Sequence, residues 1–269
     1  MRQLIVILLL CCASLACANT NASPNINTNV KPPLILSRHP DYLPFTRRAG
    51  NSLKGLDIDI FKQICSRLKL HCRVLYNGNW SQVLTGLRLG RIDMASSLYK
   101  LPGREKFITF SLPYAKDPTA IFVRLHSELD IRSWEDLKKF EGIKIQGVSA
   151  GNTFDTFAQK NLKLGKVEAL HQGFYDLIMG NSDFFICGYY PALSLIHHDG
   201  LTYRVQRLPE FIALKDLHFG VSKNSPYANI MPKFNAELKK LIDSGYIAQQ
   251  IQDYRNKYDV DKDFYRRDN

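Results

Sequence analysis

The chain has 269 residues, long for one ordinary domain, and on length alone it suggests about two. With 45% hydrophobic and 23% charged residues, 16 glycines and 12 prolines, it is globular in composition, which excludes disordered, coiled-coil, collagen-like and low-complexity chains. The formal charge of +11 raises the question of nucleic acid, but the basic residues are scattered, with no run beyond Arg47-Arg48, Lys138-Lys139, Lys239-Lys240 or Arg266-Arg267. A nucleic-acid surface gathers them into a stripe, so solubility or attraction to an anionic surface is the simpler reading.

Arg2 precedes an apolar run from Leu4 to Ala13, followed by Ala16-Cys17-Ala18. This order reads as a secretory signal peptide over residues 1–18, and the run is shorter than the roughly 20 residues of a membrane span. Leu15-Ala16-Cys17 partly imitates a lipoprotein box, but Ser14 stands where such a box prefers Leu, so cleavage after Ala18 and export are expected. Residues 19–32, rich in Asn, Thr, Ser and Pro, read as a flexible spacer.

Strand and helix signals then alternate. Leu34-Ile35-Leu36 is a strand candidate, and Asp57 and Asp59 lead into a helical face of Ile60, Phe61, Ile64 and Leu68. Cys72 to Tyr76 is strand-like; Trp80, Val83, Leu84 and Leu87 have helical spacing, with Gly90 as a stop. Ile92 to Ser96 is another strand. A second series begins at the apolar run Thr119 to Val123. It predicts a helix over Trp134–Phe140 capped by Ser133, a strand over Ile143–Val148 and a helix opening at Asn152-Thr153. A helix over Gln172–Met179 and strands over Phe184–Cys187 and Leu217–Val221 follow. Ser225 is expected to cap a long helix opened by Pro226, running through Phe234, Leu238, Leu241 and Ile242 to Gly245. Tyr254–Asn269 is expected to fray.

Such alternation means an α/β fold with mostly parallel sheets, and two series mean two lobes. Ligands in open α/β sheets gather beyond the carboxyl ends of strands, which selects the loops near Tyr42, Trp80, Ser97–Arg104, Gly147–Thr153 and Gly188. No G-x-G-x-x-G, P-loop, G-x-S-x-G or H-E-x-x-H motif supports a common enzyme chemistry. Loss of the signal peptide leaves Cys65, Cys72 and Cys187; the first two are close in sequence, and an oxidising compartment allows them to pair. His197-His198-Asp199 are neighbours that rarely point one way, so no metal is expected, and no cofactor.

Six segments occur in a telling order: Gly55-Leu56-Asp57-Ile58-Asp59-Ile60-Phe61; Trp80 with Gly86-Leu87; Gly90-Arg91-Ile92-Asp93; the block from Arg104 to Tyr114; Gly147-Val148-Ser149-Ala150-Gly151-Asn152-Thr153; and Phe219-Gly220-Val221-Ser222-Lys223. Over about residues 33 to 255 the chain resembles the periplasmic solute-binding proteins of the polar amino-acid type that feed ABC importers, bacterial extracellular solute-binding protein family 3. The resemblance implies the type II periplasmic-binding fold, an α/β architecture of two lobes joined by two crossing strands and closing at a hinge. Lobe 1 would comprise residues 33–117 and 215–269, with a polar C-terminal tail, and lobe 2 residues 118–214. It further implies a Cys65–Cys72 disulfide; Cys187, an apolar residue in a strand, is expected to stay unpaired and buried.

Carried over residue by residue, the resemblance makes Tyr42 the aromatic that stacks on the ligand and Trp80 a second wall, with core packing as the alternative for Trp80. Ser97 matches a polar contact. Arg104 matches a carboxylate grip, its planar guanidinium offering two parallel donors; a surface pair with Glu105 is the alternative. Asn152 and Thr153 match backbone donors at a helix start, or simple helix capping. Tyr99 stands where Ser or Thr is common, Leu101 replaces a Thr, and Gly188 stands where the family usually has an Asp for the ligand's ammonium; Asp183 matches a structural position. The implied function is a non-enzymatic, monomeric binding component that holds a small carboxylate-bearing solute, a polar amino acid or related acid, and delivers it to a membrane permease, with no nucleic acid involved. Two other classes stay open. One is a secreted enzyme resembling cyclohexadienyl dehydratase, for which Glu141, Glu168 and His171 are available general acids. The other is a sensory or partner-binding module.

Overall fold

A computed structural model of the chain describes residues 31–39 and 42–258. The expected signal peptide and nearly all of the expected spacer lie outside the described residues. The first half contains strand β1 (Leu34–Ser37), the small hairpin β2 (Arg47–Ala49) and β3 (Ser52–Lys54), helix α1 (Leu56–Arg67), β4 (Cys72–Val74), α2 (Trp80–Leu89) and β5 (Met94–Leu98). A long strand β6 (Ile108–Arg124) leads into β7 (Glu141–Ile145), α3 (Asn152–Asn161), β8 (Lys163–Val167), α4 (Leu170–Met179), β9 (Phe184–Gly188) and α5 (Tyr189–His198). A second long strand, β10 (Val205–Ser222), returns to α6 (Met231–Asp243) and α7 (Tyr246–Tyr258). The strands form one sheet in the order β4-β1-β5-β10-β6-β9-β7-β8.

Pairing in this sheet changes along the ribbon made by β6 and β10, which run antiparallel from Ile108↔Ser222 to Arg124↔Val205. At one end β10 takes β5 as its other neighbour, through His218, Gly220 and Val221, and β5 continues in parallel to β1 and β4. At the other end β6 takes β9, from Thr119↔Gly188 to Val123↔Phe184, and β9 continues in parallel to β7 and β8. Two parallel half-sheets therefore hang on one antiparallel ribbon, and the ribbon is left without flanking strands around Asp117 and Lys215.

Both half-sheets are covered on both faces, and the alternation of strand side chains shows why. In the second half Phe122, Phe185 and Cys187 turn toward Phe174 and Leu177 of α4 and Leu193 and Ile196 of α5. Their neighbours Ile121, Val123, Phe184 and Ile186 turn the other way, onto Phe154 and Ala158 of α3. In the first half Leu34, Leu36, Met94, Phe219 and Val221 meet α1 and α6, whereas Ala95, Leu98 and Ile108 meet Val83 and Leu87 of α2. Each of these large side chains contributes about 1.5–3 kcal/mol by leaving water. Asn79 closes a capping box with Gln82 at the start of α2, and Gly90 takes the left-handed conformation that ends it.

Cys65, in α1, is bonded to Cys72, the first residue of β4, with Cα atoms 6.3 Å apart. So short a loop contributes about 2–3 kcal/mol in the chain-entropy account. Cys187 is free and buried, and burial pushes its thiol well up.

Two expectations at the C-terminal end are corrected. The long helix starts at Met231 with Pro232 in its first turn, not at Ser225-Pro226. The Ser225 hydroxyl instead donates to Asp93 (2.6 Å) and accepts from the Tyr227 amide (2.9 Å), building a separate turn. Nor does the chain fray at Tyr254: α7 is helical through Tyr258, and the Tyr254 ring is buried 6.3 Å from that of Tyr190. Helix α5 was missed as well. Among the described residues no helix is long and apolar enough to cross a membrane.

Candidate functional site

The site is assembled where the ribbon is bare. Asp117 on β6 lies directly across from Lys215 on β10, and Thr119 lies between Ala213 of β10 and Gly188 of β9. Directly paired residues, and residues two apart on one strand, share a face. Asp117, Thr119, Lys215, Ala213 and Gly188 therefore form one floor.

From the first half two tyrosines descend onto that floor. The hydroxyls of Tyr42 and Tyr99 both donate to Asp117 Oδ2. Asp117 is 1% exposed, and its other oxygen, Oδ1, has no hydrogen-bond partner among the described residues; neither has Thr119 Oγ1. Burial pushes the Asp117 carboxyl up, opposed by the two tyrosine hydroxyls, Lys215 and Arg38. Burial and the neighbouring Asp117 push both phenols up, so both stay protonated donors at neutral pH. Tyr190 is pushed up to about 12 by burial and by Asp117.

Tyr42 and Tyr99 are held by a polar cluster behind them. Arg38, just past β1, lies 4.5 Å from the Tyr42 ring centroid, pairs with Asp57 (3.4 Å) and donates to Ser96 O (3.2 Å) and Thr46 Oγ1 (2.5 Å). Asp57 sits in the first turn of α1, where the helix dipole favours a negative charge. Its carboxylate accepts from Ser97 Oγ (2.7 Å) and Tyr114 Oη (2.5 Å). Burial pushes this carboxyl up, against the pull of Arg38 and the hydroxyls. The Ser97 side chain, read as a ligand contact, is thus engaged by Asp57 and Tyr114, with its backbone at φ 47°. That bend starts the turn that carries Tyr99.

Arg104 opens a short 3-10 turn after Gly103. Its guanidinium is half-buried, donates to the Tyr99 carbonyl (3.1 Å) and lies 5.9 Å from the Trp80 ring centroid. Glu105 pairs with Lys100 instead (3.0 Å), and no ion pair to Arg104 is found among the described residues. Arg104 and Asp117 consequently bracket Tyr99, a cation at its carbonyl and an anion at its hydroxyl. Trp80 is half-buried at the start of α2, one side toward the small core behind it.

The second half approaches through the turn before α3. Lys215 Nζ lies 4.7 Å from the Tyr99 ring centroid and donates to the Ser149 carbonyl (3.0 Å); burial pulls its ammonium group down, against Asp117 and Asp155. Gly151, at φ 110°, comes so near the floor that an added Cβ would stand 3.0 Å from the Ala213 methyl. Asn152 and Thr153 are exposed in the first turn of α3, which Asp155 completes by accepting from Ser149 Oγ (2.5 Å), Lys144 Nζ (3.1 Å) and the Ala150 amide (3.2 Å). Leu101 is 44% exposed and contributes nothing to the floor.

Tyr42, Tyr99, Arg104 and Trp80 are therefore linked in one chain of contacts and Gly188 borders Thr119, whereas Asn152 and Thr153 are exposed at the start of α3. Asp117, Thr119, Lys215, Arg38 and Asp57 were missed as site residues. Lys116-Asp117-Pro118 inside an otherwise apolar strand was the available signal for the first. The general acids weighed for an enzyme lie elsewhere: Glu141 is exposed at the far end of β7 beside Lys163, Glu168 is exposed, and His171 lines a surface hollow of about 660 Å³ between α4 and α5. That hollow and another of about 360 Å³ beside Arg124 lie at the opposite end of β6.

Residues 34–257 match the family described as bacterial extracellular solute-binding proteins, family 3. PatH of Vibrio harveyi, whose name describes an amino-acid ABC transporter-binding protein, is 29% identical over 164 residues, 60% of this chain and 64% of its own. The arginine-binding extracellular protein ArtP of Bacillus subtilis is 24% identical over 150 residues, 55% of this chain and 58% of its own. The chain thus spans less than two thirds of the length of these curated relatives. Among solved structures, the GluR0 ligand-binding core in complex with L-glutamate superimposes with a TM-score of 0.67 at 18% identity, covering 83% of this chain and 98% of that one. Two half-sheets on a crossing ribbon are thereby the two-lobed type II periplasmic-binding fold, and the chain belongs to the bacterial extracellular solute-binding proteins, family 3.

Proposed function

We propose that the protein is the periplasmic substrate-binding component of an ABC importer, and that its two lobes close around a small carboxylate-bearing solute, a polar amino acid or a related acid. The observation that carries this reading is Arg104: a half-buried guanidinium, aimed by the Tyr99 carbonyl and the Trp80 face, with no carboxylate of its own among the described residues. A planar cation so held is suited to a carboxylate. The names of the relatives, an amino-acid ABC transporter-binding protein and an arginine-binding protein, support the same class of ligand and a membrane permease as partner. With the ribbon bare at Asp117 and Lys215, the lobes are assigned as residues 33–117 with 215–269, and 118–214. Tyr42, Trp80, Ser97, Tyr99, Arg104, Asn152, Thr153 and Gly188 are assigned to the cleft, Ser97 acting through Asp57 and Tyr114. The role is binding, with no chemical step.

The test is a thermal-shift panel of the twenty L-amino acids and their deaminated acids on the purified protein. A ligand at a hundred times its Kd stabilises the folded state by about 2.7 kcal/mol, which is a rise in Tm of roughly 5–10 °C for a chain of this size. At least one panel member should produce it. A flat panel would overturn the reading.

A further inference from the structure

Asp117 is a buried carboxylate with no ion pair among the described residues, although Lys215 and Arg38 lie near enough to favour its charge. Its natural partner is Lys215, directly across the ribbon, yet Lys215 turns to the Ser149 carbonyl and the Tyr99 ring, and no ion pair joins the two among the described residues. One oxygen is saturated by two phenols; the other is buried without a hydrogen-bond partner, as is the Thr119 hydroxyl two residues along the same face of β6. A buried carboxylate with an unsatisfied oxygen is costly to maintain, and phenols that donate only to Oδ2 leave Oδ1 without a partner.

We infer that Asp117, with Thr119 beside it, receives a cationic nitrogen of the ligand, so that the protein selects amine- or guanidine-bearing acids although Gly188 offers no side chain. An ammonium group has three donors and no acceptor, and the floor offers it two unpartnered oxygen acceptors, Asp117 Oδ1 and Thr119 Oγ1. Arg104 at the other end of Tyr99 takes the carboxylate. The site thus reads a ligand by its two charges, and a neutral or purely anionic solute leaves Asp117 unpaired.

This inference rests on the binding reading above, and the experiment separates the two. Wild type, Asp117→Asn and Asp117→Asn/Gly188→Asp are titrated calorimetrically with every amino acid of the panel that stabilises the wild type and with the matching deaminated acid. Asn keeps an acceptor for Tyr42 and Tyr99 while removing the charge, and circular dichroism verifies that the variants fold. Position 188 adjoins Thr119 in register, at an ordinary φ of −64°, and a Cβ there stands 3.1 Å from Pro191 Cγ, a contact a small shift relieves. Asp117→Asn should weaken the amine-bearing ligand by at least about thirtyfold and leave the deaminated acid within a few-fold. The added Asp at position 188 should return most of the loss, which a merely structural role for Asp117 would not allow. For basic amino acids, losing the α-ammonium or the side-chain cation in turn identifies which nitrogen Asp117 holds. Undiminished amine binding by Asp117→Asn, or a wild type that prefers deaminated acids, would overturn the inference while leaving a binding protein. A panel without any ligand overturns both.

Discussion

Arg104→Ala is expected to weaken the carboxylate ligand by about thirtyfold or more, while the unliganded protein melts within a degree or two of wild type. Truncating one partner of a buried, hydrogen-bonded charge pair typically costs about 2–5 kcal/mol, and the lower end applies because Arg104 is only half-buried. Burial already pulls its guanidinium down, opposed by Tyr99, so the group gains from a carboxylate that replaces lost water. The small effect on folding follows from what Arg104 does in the empty protein: one hydrogen bond to the Tyr99 carbonyl and one ring contact. Arg104→Lys should recover little, since a single ammonium cannot offer two parallel donors. Calorimetric titration of the three proteins decides it, and an Ala variant that binds like wild type would refute the assignment.

The second large effect is on stability. Arg38→Met is expected to destabilise the protein by about 3–5 kcal/mol at neutral pH, because it leaves Asp57 charged or forcibly protonated in a dry site. The pair is 4% and 0% exposed at its side chains, so solvent relieves neither partner. The pH dependence follows from the direction of the Asp57 shift. Its carboxyl is already pushed up by burial, and loss of Arg38 removes the largest opposing pull. Below the unfolded value of about 3.9 both states hold the proton and the penalty vanishes; as pH rises, the unfolded chain ionises while the folded one keeps its proton, so stability falls until the folded value is passed. The double variant Arg38→Met/Asp57→Asn should recover part of the loss and flatten this dependence. Urea titrations at several pH values measure both, and a loss below about 1 kcal/mol would contradict the picture of Arg38 as the support of Tyr42.

Much of this architecture was legible because it is written in local pattern. The spacing of Trp80, Val83 and Leu87, the stop at Gly90 and the apolar run Phe184–Cys187 are short-range signals, and each corresponds to an element. The start of α6 was misread because Ser225-Pro226 is a good opening pair, but Asp93, 132 residues away, claims the Ser225 hydroxyl. The candidate site was half legible. Tyr42, Trp80 and Arg104 stand on or beside loops that the strand-end rule selects. Asp117 opposite Lys215 depends on the register of two long strands, and Ser97 on Asp57 depends on a contact across 40 positions. Register over such separations is set by the assembled sheet, so residues on the ribbon carried no mark of function beyond a charge in an apolar stretch.

The chain has two tryptophans, one beside Arg104 and one, Trp134, packed on Phe154 of α3 with ring centroids 5.1 Å apart. A Trp134→Phe variant therefore reports from Trp80 alone. Titrated with the panel member that most raises Tm, it should give a saturable fluorescence change whose midpoint agrees with calorimetry, since ligand bound at Arg104 alters the polarity and contacts of the neighbouring indole. Stabilisation by a ligand that leaves Trp80 fluorescence unchanged would place binding outside the cleft and contradict the account.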